Sequence, residues 1–179
     1  IQRIVGDVVE RHLSDVELAA FVTALHVHGV SMEETEALSR TMIWSGKQID
    51  FGRSQILDKH SIGGVPGDKT TLIVTPIIAA AGYSIPKSSS RAITSPAGTA
   101  DRMEALAPVD IPFERIKKIV NEIGACIVWG GSIDLAPADD LFIRVEYPLS
   151  IDPLLLPSIL SKKKAMGSTH VVIDIPVGV

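Results

Sequence analysis

Cysteine is nearly missing from this 179-residue chain. Cys126 is the single thiol, so no internal disulfide can form, and the expected compartment is a reducing one, the cytoplasm. Aromatic residues are scarce, with two Trp, two Tyr and four Phe, too few for a sheet that stacks nucleobases. Neither sign of charge dominates: 17 Lys and Arg face 21 Asp and Glu, for a net charge of −4. That balance leaves no basic stripe for nucleic acid. Long apolar runs are lacking too. The longest, around Leu72–Gly82, is broken by Thr75 and Pro76 and falls well short of the roughly 18 apolar residues of a membrane span. No charged-then-apolar leader opens the sequence, so secretion is not expected. The chain starts at Ile1, and Ile175–Val179 reads as a strand entering a turn; a fragment of a longer protein is expected. What remains is 46% apolar with 14 Gly and 11 Pro, ordinary for a globular chain with one core or two small ones.

Residues 1–45 read as a small helix bundle. Ser14-Asp15-Val16-Glu17 and Ser31-Met32-Glu33-Glu34 both have the form of a capping box, in which hydroxyl and carboxylate satisfy each other's free N–H groups. Leu18, Phe21, Val22 and Leu25 recur at helical spacing after the first box, and Thr35, Leu38 and Met42 after the second. Gly29 between them supplies a stop. From Asp58 onward the texture changes. Thr70–Gly82 reads as a buried helix behind a Gly-rich turn, Thr99–Leu106, Phe113–Ile123 and Leu154–Ala165 as further helices. Tyr83–Pro86, Ala125–Trp129 and His170–Ile175 read as strands, the last two buried. Strands alternating with helices give an α/β class with helical material at the front.

Three loops hold the residues with chemical potential. In the first, Lys59-His60-Ser61-Ile62-Gly63-Gly64-Val65-Pro66-Gly67 runs to Thr70 and Thr71. Glycines there let a backbone approach an anion, and the helix that follows points N–H groups at it; a plain turn before a core helix is the alternative. The spacing is not that of a Walker A loop. In the second, Lys87, Arg91 and seven hydroxyls lie between Ser84 and Thr99, a second anion site or a solvated linker. The third holds Asp139 and Asp140, metal ligands or, more readily, helix caps. Asp152, between Ile151 and Pro153, is either a turn residue or an acid whose burial keeps a proton available. His26 and His28 face different ways on a helix and make a poor metal pair, and Cys126 reads as an inert core thiol.

Taken together, the loops resemble a known family. Lys59-His60-Ser61-Ile62-Gly63-Gly64 is similar to the Lys-His-Ser-x-Gly-Gly signature of the thymidine and pyrimidine-nucleoside phosphorylases. Ser90-Arg91-Ala92-Ile93-Thr94-Ser95-Pro96-Ala97-Gly98-Thr99-Ala100-Asp101 resembles the branch that holds archaeal AMP phosphorylases and some bacterial thymidine phosphorylases. Trp129-Gly130-Gly131, Leu135–Asp140, Ser161-Lys162-Lys163 and Ser168–Gly178 fit the same branch.

The resemblance implies a small helical domain, residues 1–50 and 137–165, and a mixed-sheet α/β domain, residues 51–136 and 166–179, whose C-terminal part is missing. It implies phosphorolysis of nucleoside 5′-monophosphates, AMP and inorganic phosphate giving adenine and ribose 1,5-bisphosphate, with CMP and UMP as further candidates. No metal or organic cofactor is implied, and inorganic phosphate is the co-substrate. A homodimer or higher homo-oligomer is expected, without nucleic acid or membrane as partner. Residue by residue, Asp152 matches the proton donor. Gly64, Ser90, Arg91, Ala92, Ile93, Thr94, Ser95, Thr99, Ser158 and Lys162 match nucleotide contacts. Lys59, Ser61, Thr71, Ser89 and Thr99 match the phosphate positions. The alternatives are a thymidine or pyrimidine nucleoside phosphorylase, an aminoarene phosphoribosyltransferase, and a nucleotide-binding or oligomerisation module without turnover.

Overall fold

The two Ser-x-x-Glu boxes form as their spacing requires. Ser14 Oγ accepts from the Glu17 N–H (3.3 Å) while the Glu17 carboxylate accepts from the Ser14 N–H (2.9 Å). Ser31 and Glu34 repeat the exchange at 3.2 and 2.9 Å. They start α2 (Asp15–His28) and α3 (Met32–Trp44), after a short α1 (Gln2–Val9). These features come from a computed structural model, which describes residues 1–62, 69–91 and 97–177.

The chain divides into two compact units, residues 1–48 with 134–165 and residues 49–133 with 166–179. The first is all helical: α1 to α3 are joined by α7 (Pro137–Leu149) and α8 (Leu155–Ala165). Its core gathers Val5 and Val8 from α1, Leu18 and Val22 from α2, Leu38 and Met42 from α3, and Ala138, Phe142 and Val145 from α7. Phe142 is fully buried, its ring 6.2 Å from that of Phe21. α7 departs from the sequence reading, in which residues 135–140 form a loop. Pro137 at the first helical position is the available signal, since its fixed φ and missing N–H suit a helix start.

The second unit is α/β. Its strands are β1 (Leu57–Ser61), β2 (Ile85–Ser89), β3 (Ala125–Trp129) and β4 (His170–Asp174), with helices α4 (Thr70–Ala80), α5 (Thr99–Glu104) and α6 (Phe113–Ile123) between them. β1 pairs with β4, Leu57 opposite His170, and β2 with β3, Ile85 opposite Ala125, both in parallel. A parallel bridge from Ile56 to Ser84 joins the two pairs, giving the order β4-β1-β2-β3. Every β2 side chain is buried, Lys87 included.

Three expectations need correction. The strand expected at Tyr83–Pro86 lies at Ile85–Ser89, because its pairing with β3 is set by the buried Ile85, Pro86 and Lys87 rather than by Tyr83, which is exposed. The helix expected to be buried, α4, covers only Thr71 and Thr75, while Ile73 and Ile77 are 59% and 60% exposed. Composition reports how apolar a segment is, whereas burial depends on what packs against each face. β4 likewise forms, but exposed rather than buried. β1 itself is unforeseen, since Leu-Asp-Lys-His-Ser has no apolar alternation and gains its conformation from pairing. Among the described residues no helix is long and apolar enough to cross a membrane.

Phe142→Ala is expected to cost about 3–5 kcal/mol of stability, the usual penalty for emptying a buried aromatic site. Trp44→Ala, at a 60% exposed position, should cost no more than about 0.5 kcal/mol. Denaturant unfolding of the two variants checks the contrast.

Candidate functional site

Parallel strands end on the same side of a sheet, and that carboxyl edge is where α/β folds hold their ligands. β1 ends at Ser61, β2 at Ser89 and β3 at Trp129, so the phosphate candidates Lys59, Ser61 and Ser89 belong to one edge. Lys59 is buried, its Nζ against Ser61 Oγ and 3.2 Å from the Asp174 carboxylate. Ser61 also donates to Asp174 at 3.1 Å. Ser89 Oγ is buried and has no hydrogen-bond partner among the described residues. A buried hydroxyl left in that state calls for a missing acceptor or donor. Thr71, also buried, lies in the first turn of α4 and Thr99 in the first position of α5. At the start of α5 the Gly98 N–H donates to the Asp101 carboxylate at 2.8 Å and the Ala100 N–H to the Ser90 carbonyl at 3.2 Å.

Behind this edge lies a second polar group that sequence reasoning missed. Asp58 and Lys87 are both buried and 3.8 Å apart, Lys87 donating to the Ser88 carbonyl at 2.6 Å and Ser168 to Asp58 at 3.4 Å. Burial, and secondarily the charge of Asp58, push the Cys126 thiol up to about 12. Cys126 is therefore an inert core residue, as expected. Asp174 was missed as well; its signal was a lone acid in a β-branched strand.

Arg91 follows β2 directly, and its guanidinium is already engaged. It forks onto Glu104 at 2.6 and 2.9 Å, donates to Asp101 at 3.0 Å, and lies 4.6 Å over the Trp129 ring. These two carboxylates, Glu104 before Asp101, raise its pKa further. The planar fork thus braces Ser90 and Arg91 against α5 and β3. Gly98 completes the brace. A Cβ there would collide with the Ser90 carbonyl oxygen and lie 2.5 Å from the Arg91 carbonyl carbon. Gly131 plays the same part beneath Trp129, where a Cβ would lie 2.9 Å from the ring. Ser90 is described and half-buried. Gly64, Ala92, Ile93, Thr94 and Ser95 lie outside the described residues.

The helical unit holds the other candidates. Lys162 on α8 meets the buried Asp139 of α7 at 2.5 Å. Burial works to lower the Lys162 pKa, but the charge and hydrogen bond of Asp139, with Asp140 and Glu146 beyond, outweigh it and hold the ammonium raised. Asp139 and Asp140 sit in the first turn of α7 rather than at its cap, which is Ala136. The preferred reading of the two as helix caps is therefore corrected, because Pro137 starts the helix one residue after Ala136; among the described residues no three His, Cys, Asp or Glu side chains are grouped to hold a metal ion. Asp152 lies on the turn between α7 and α8 and is an exposed residue. Partial burial first, then the charge of Asp139, push its pKa up, with Lys162 opposing. Ser158, half-buried on α8, lies one helical turn before Lys162. Glu146, also missed, is buried seven residues after Asp139 on the same face of α7. Burial and then the charge of Asp152 push it up to about 7.

Gly98→Ala is expected to cost about 1–3 kcal/mol, as overpacking against a fixed backbone usually does. Thermal or denaturant unfolding reads the loss, and a variant as stable as wild type would remove the close approach from the account.

The sequence of the chain is 58% identical over 178 residues to an AMP phosphorylase of Thermofilum pendens, covering 99% of this chain and 35% of that protein. It is 56% identical over 180 residues to an AMP phosphorylase of Thermococcus kodakarensis, covering 99% and 36%. A Polaromonas protein with a provisional thymidine phosphorylase name is 53% identical over 180 residues, covering 99% and 35%. The chain thus spans about a third of the length of these curated relatives. In fold it is similar to anthranilate phosphoribosyltransferase from Thermus thermophilus, with a TM-score of 0.82 and 23% identity, covering 97% of this chain and 53% of that one. Residues 1–46 match the glycosyl transferase family helical bundle domain and residues 53–172 the a/b domain of the same family. The chain belongs to the glycosyl transferase family defined by that pair of domains.

Proposed function

We propose that the full-length protein catalyses phosphorolysis of nucleoside 5′-monophosphates, with AMP as the leading substrate. A phosphate oxygen attacks C1′, the C1′–N bond breaks, and the base leaves with a proton; the products are adenine and ribose 1,5-bisphosphate. The orphaned hydroxyl of Ser89 beside Lys59 and Ser61 at the carboxyl edge of the sheet is the observation that carries the reading. A phosphate oxygen supplies the acceptor that this hydroxyl lacks. The AMP phosphorylase names of relatives at 58% and 56% identity support the choice of nucleotide.

The division of labour follows from the chemistry. Lys59, Ser61, Thr71, Ser89 and Thr99 hold inorganic phosphate, supplying charge and donors that need no reorganisation. Gly64, the segment Ser90 to Ser95, Ser158 and Lys162 hold the nucleotide. Asp152 gives its proton to the departing base. The reaction needs no metal or organic cofactor. We assign the protein to the cytoplasm as a homo-oligomer; Val16 and Val27, 79% and 70% exposed on α2, supply apolar surface for contact between copies.

Asp152→Asn is expected to lower kcat roughly 10²–10⁴-fold, the usual value of a general acid, with AMP affinity nearly kept. The donor must be protonated, so kcat of the wild type falls as pH rises through the Asp152 pKa, which lies above that of an ordinary aspartate. A variant that keeps half of the wild-type kcat sinks the assignment.

A second reading, phosphorolysis of thymidine, is favoured by the name of the Polaromonas relative. At saturating inorganic phosphate, kcat/KM for AMP is expected to exceed that for adenosine or thymidine by roughly 10⁴, because a site built to pair a phosphate leaves polar groups unsatisfied around a nucleoside. Equal values, or preference for thymidine, decide for the second reading.

A further inference from the structure

The turn that carries Asp152 is tied on both sides to one residue. Glu146 accepts from the Ile151 N–H through its backbone carbonyl (3.3 Å) and from the Leu154 N–H through its side-chain Oε1 (3.3 Å). Its two acceptors therefore bracket Asp152. The turn between them is otherwise constrained by Ser150, left-handed at φ 54°, by Pro153, and by Leu154, which is fully buried in the helical core. Glu146 itself is 5% exposed, an expensive place for a carboxylate that only caps a turn. A Gln or Ser would cap it without a charge.

The charges facing Glu146 come from Asp152 on the turn, from Asp139 on its own helix and from Lys162 on α8. α1, α2 and α3 add Val5, Val8, Leu18, Val22, Leu38 and Met42 to the core that α7 shares. The charge of Asp152 is one cause of the raised Glu146 pKa, so Asp152 is already ionised when Glu146 titrates.

We propose that Glu146 is a positioning residue for Asp152: its buried side chain and its backbone carbonyl fix the turn that carries the acid. The proposal rests on the reading of Asp152 as proton donor. Glu146 acts through the turn and touches no reacting atom.

The experiment compares full-length wild type, Glu146→Gln, Glu146→Ala and Asp152→Asn. In Glu146→Ala kcat with AMP and phosphate is expected to fall roughly 10–100-fold with a smaller change in KM, as for a misplaced catalytic group. Glu146→Gln, which keeps a side-chain oxygen for the Leu154 N–H, should recover most of that loss. Full kcat in Glu146→Ala, or a loss in Glu146→Gln as large as in Glu146→Ala, overturns the proposal. A carboxyl-resolved NMR titration gives a readout free of activity and of any change at Glu146. Glu146 should titrate near the value of about 7 in wild type and clearly lower in Asp152→Asn; identical titration in the two means that the turn does not bring the two carboxyls together and overturns the proposal. If wild type releases no adenine from AMP, the phosphorolysis reading fails, and the titration still decides whether Glu146 holds the turn.

Discussion

A parallel strand cannot turn straight back onto its neighbour; the chain must leave the sheet, cross over and return in the same direction. Both strand pairs of the α/β unit are parallel, and much of the architecture follows from that requirement. β2 returns to β3 through α5 and α6. β1 returns to β4 only after residues 62–169, an excursion that contains α7 and α8 of the helical unit. The helical unit is thus built from two separate stretches of sequence because one crossover of the sheet is long enough to hold the second stretch. The same parallel pairing brings the ends of β1, β2 and β3 to one edge, where Lys59, Ser61, Ser89 and Trp129 stand.

Buried charge is the second organising element, and in each unit it is paired. Lys87 with Asp58 and Lys162 with Asp139 both place an ammonium against a carboxylate that has lost nearly all its water. Such pairs add little net stability, since desolvation opposes the Coulomb gain, but breaking one partner leaves an uncompensated charge. They constrain which strand or helix can lie beside which. Lys162, matched by resemblance to a nucleotide contact, is at the same time a structural partner of Asp139. Arg91 shows the same double character, its fork filled by Glu104 and Asp101 while its plane covers Trp129. Glycine is needed at 98 as well, because the backbone of Ser90 and Arg91 leaves no room for a Cβ there.

Much of the architecture was legible in residues alone. The two capping boxes, Phe113–Ile123 and Ala125–Trp129 stand where spacing and composition predict them. α7 was not legible because its start, Leu-Ala-Pro-Ala-Asp-Asp, carries the small and polar residues of a loop, and its apolar positions matter only once Phe142 and Val145 meet the other helices. β1 was not legible because Leu-Asp-Lys-His-Ser becomes a strand through β4, more than a hundred residues away.

Local interactions within four or five residues, the N-caps, helical periods and glycine stops, were determined by the sequence, since their partners are near in the chain. The tertiary structure alone decided what each charged side chain faces. Asp139 is the partner of an ammonium because α8 brings Lys162 to it, and Arg91 is not a free cation because α5 brings Asp101 and Glu104. Glu146 is held near neutral pKa by burial first and then by the charge of Asp152 on the turn after α7, against the Leu154 N–H, which lowers it. Desolvation and Coulomb energy depend on distances between atoms remote in sequence, and only the folded chain fixes those distances.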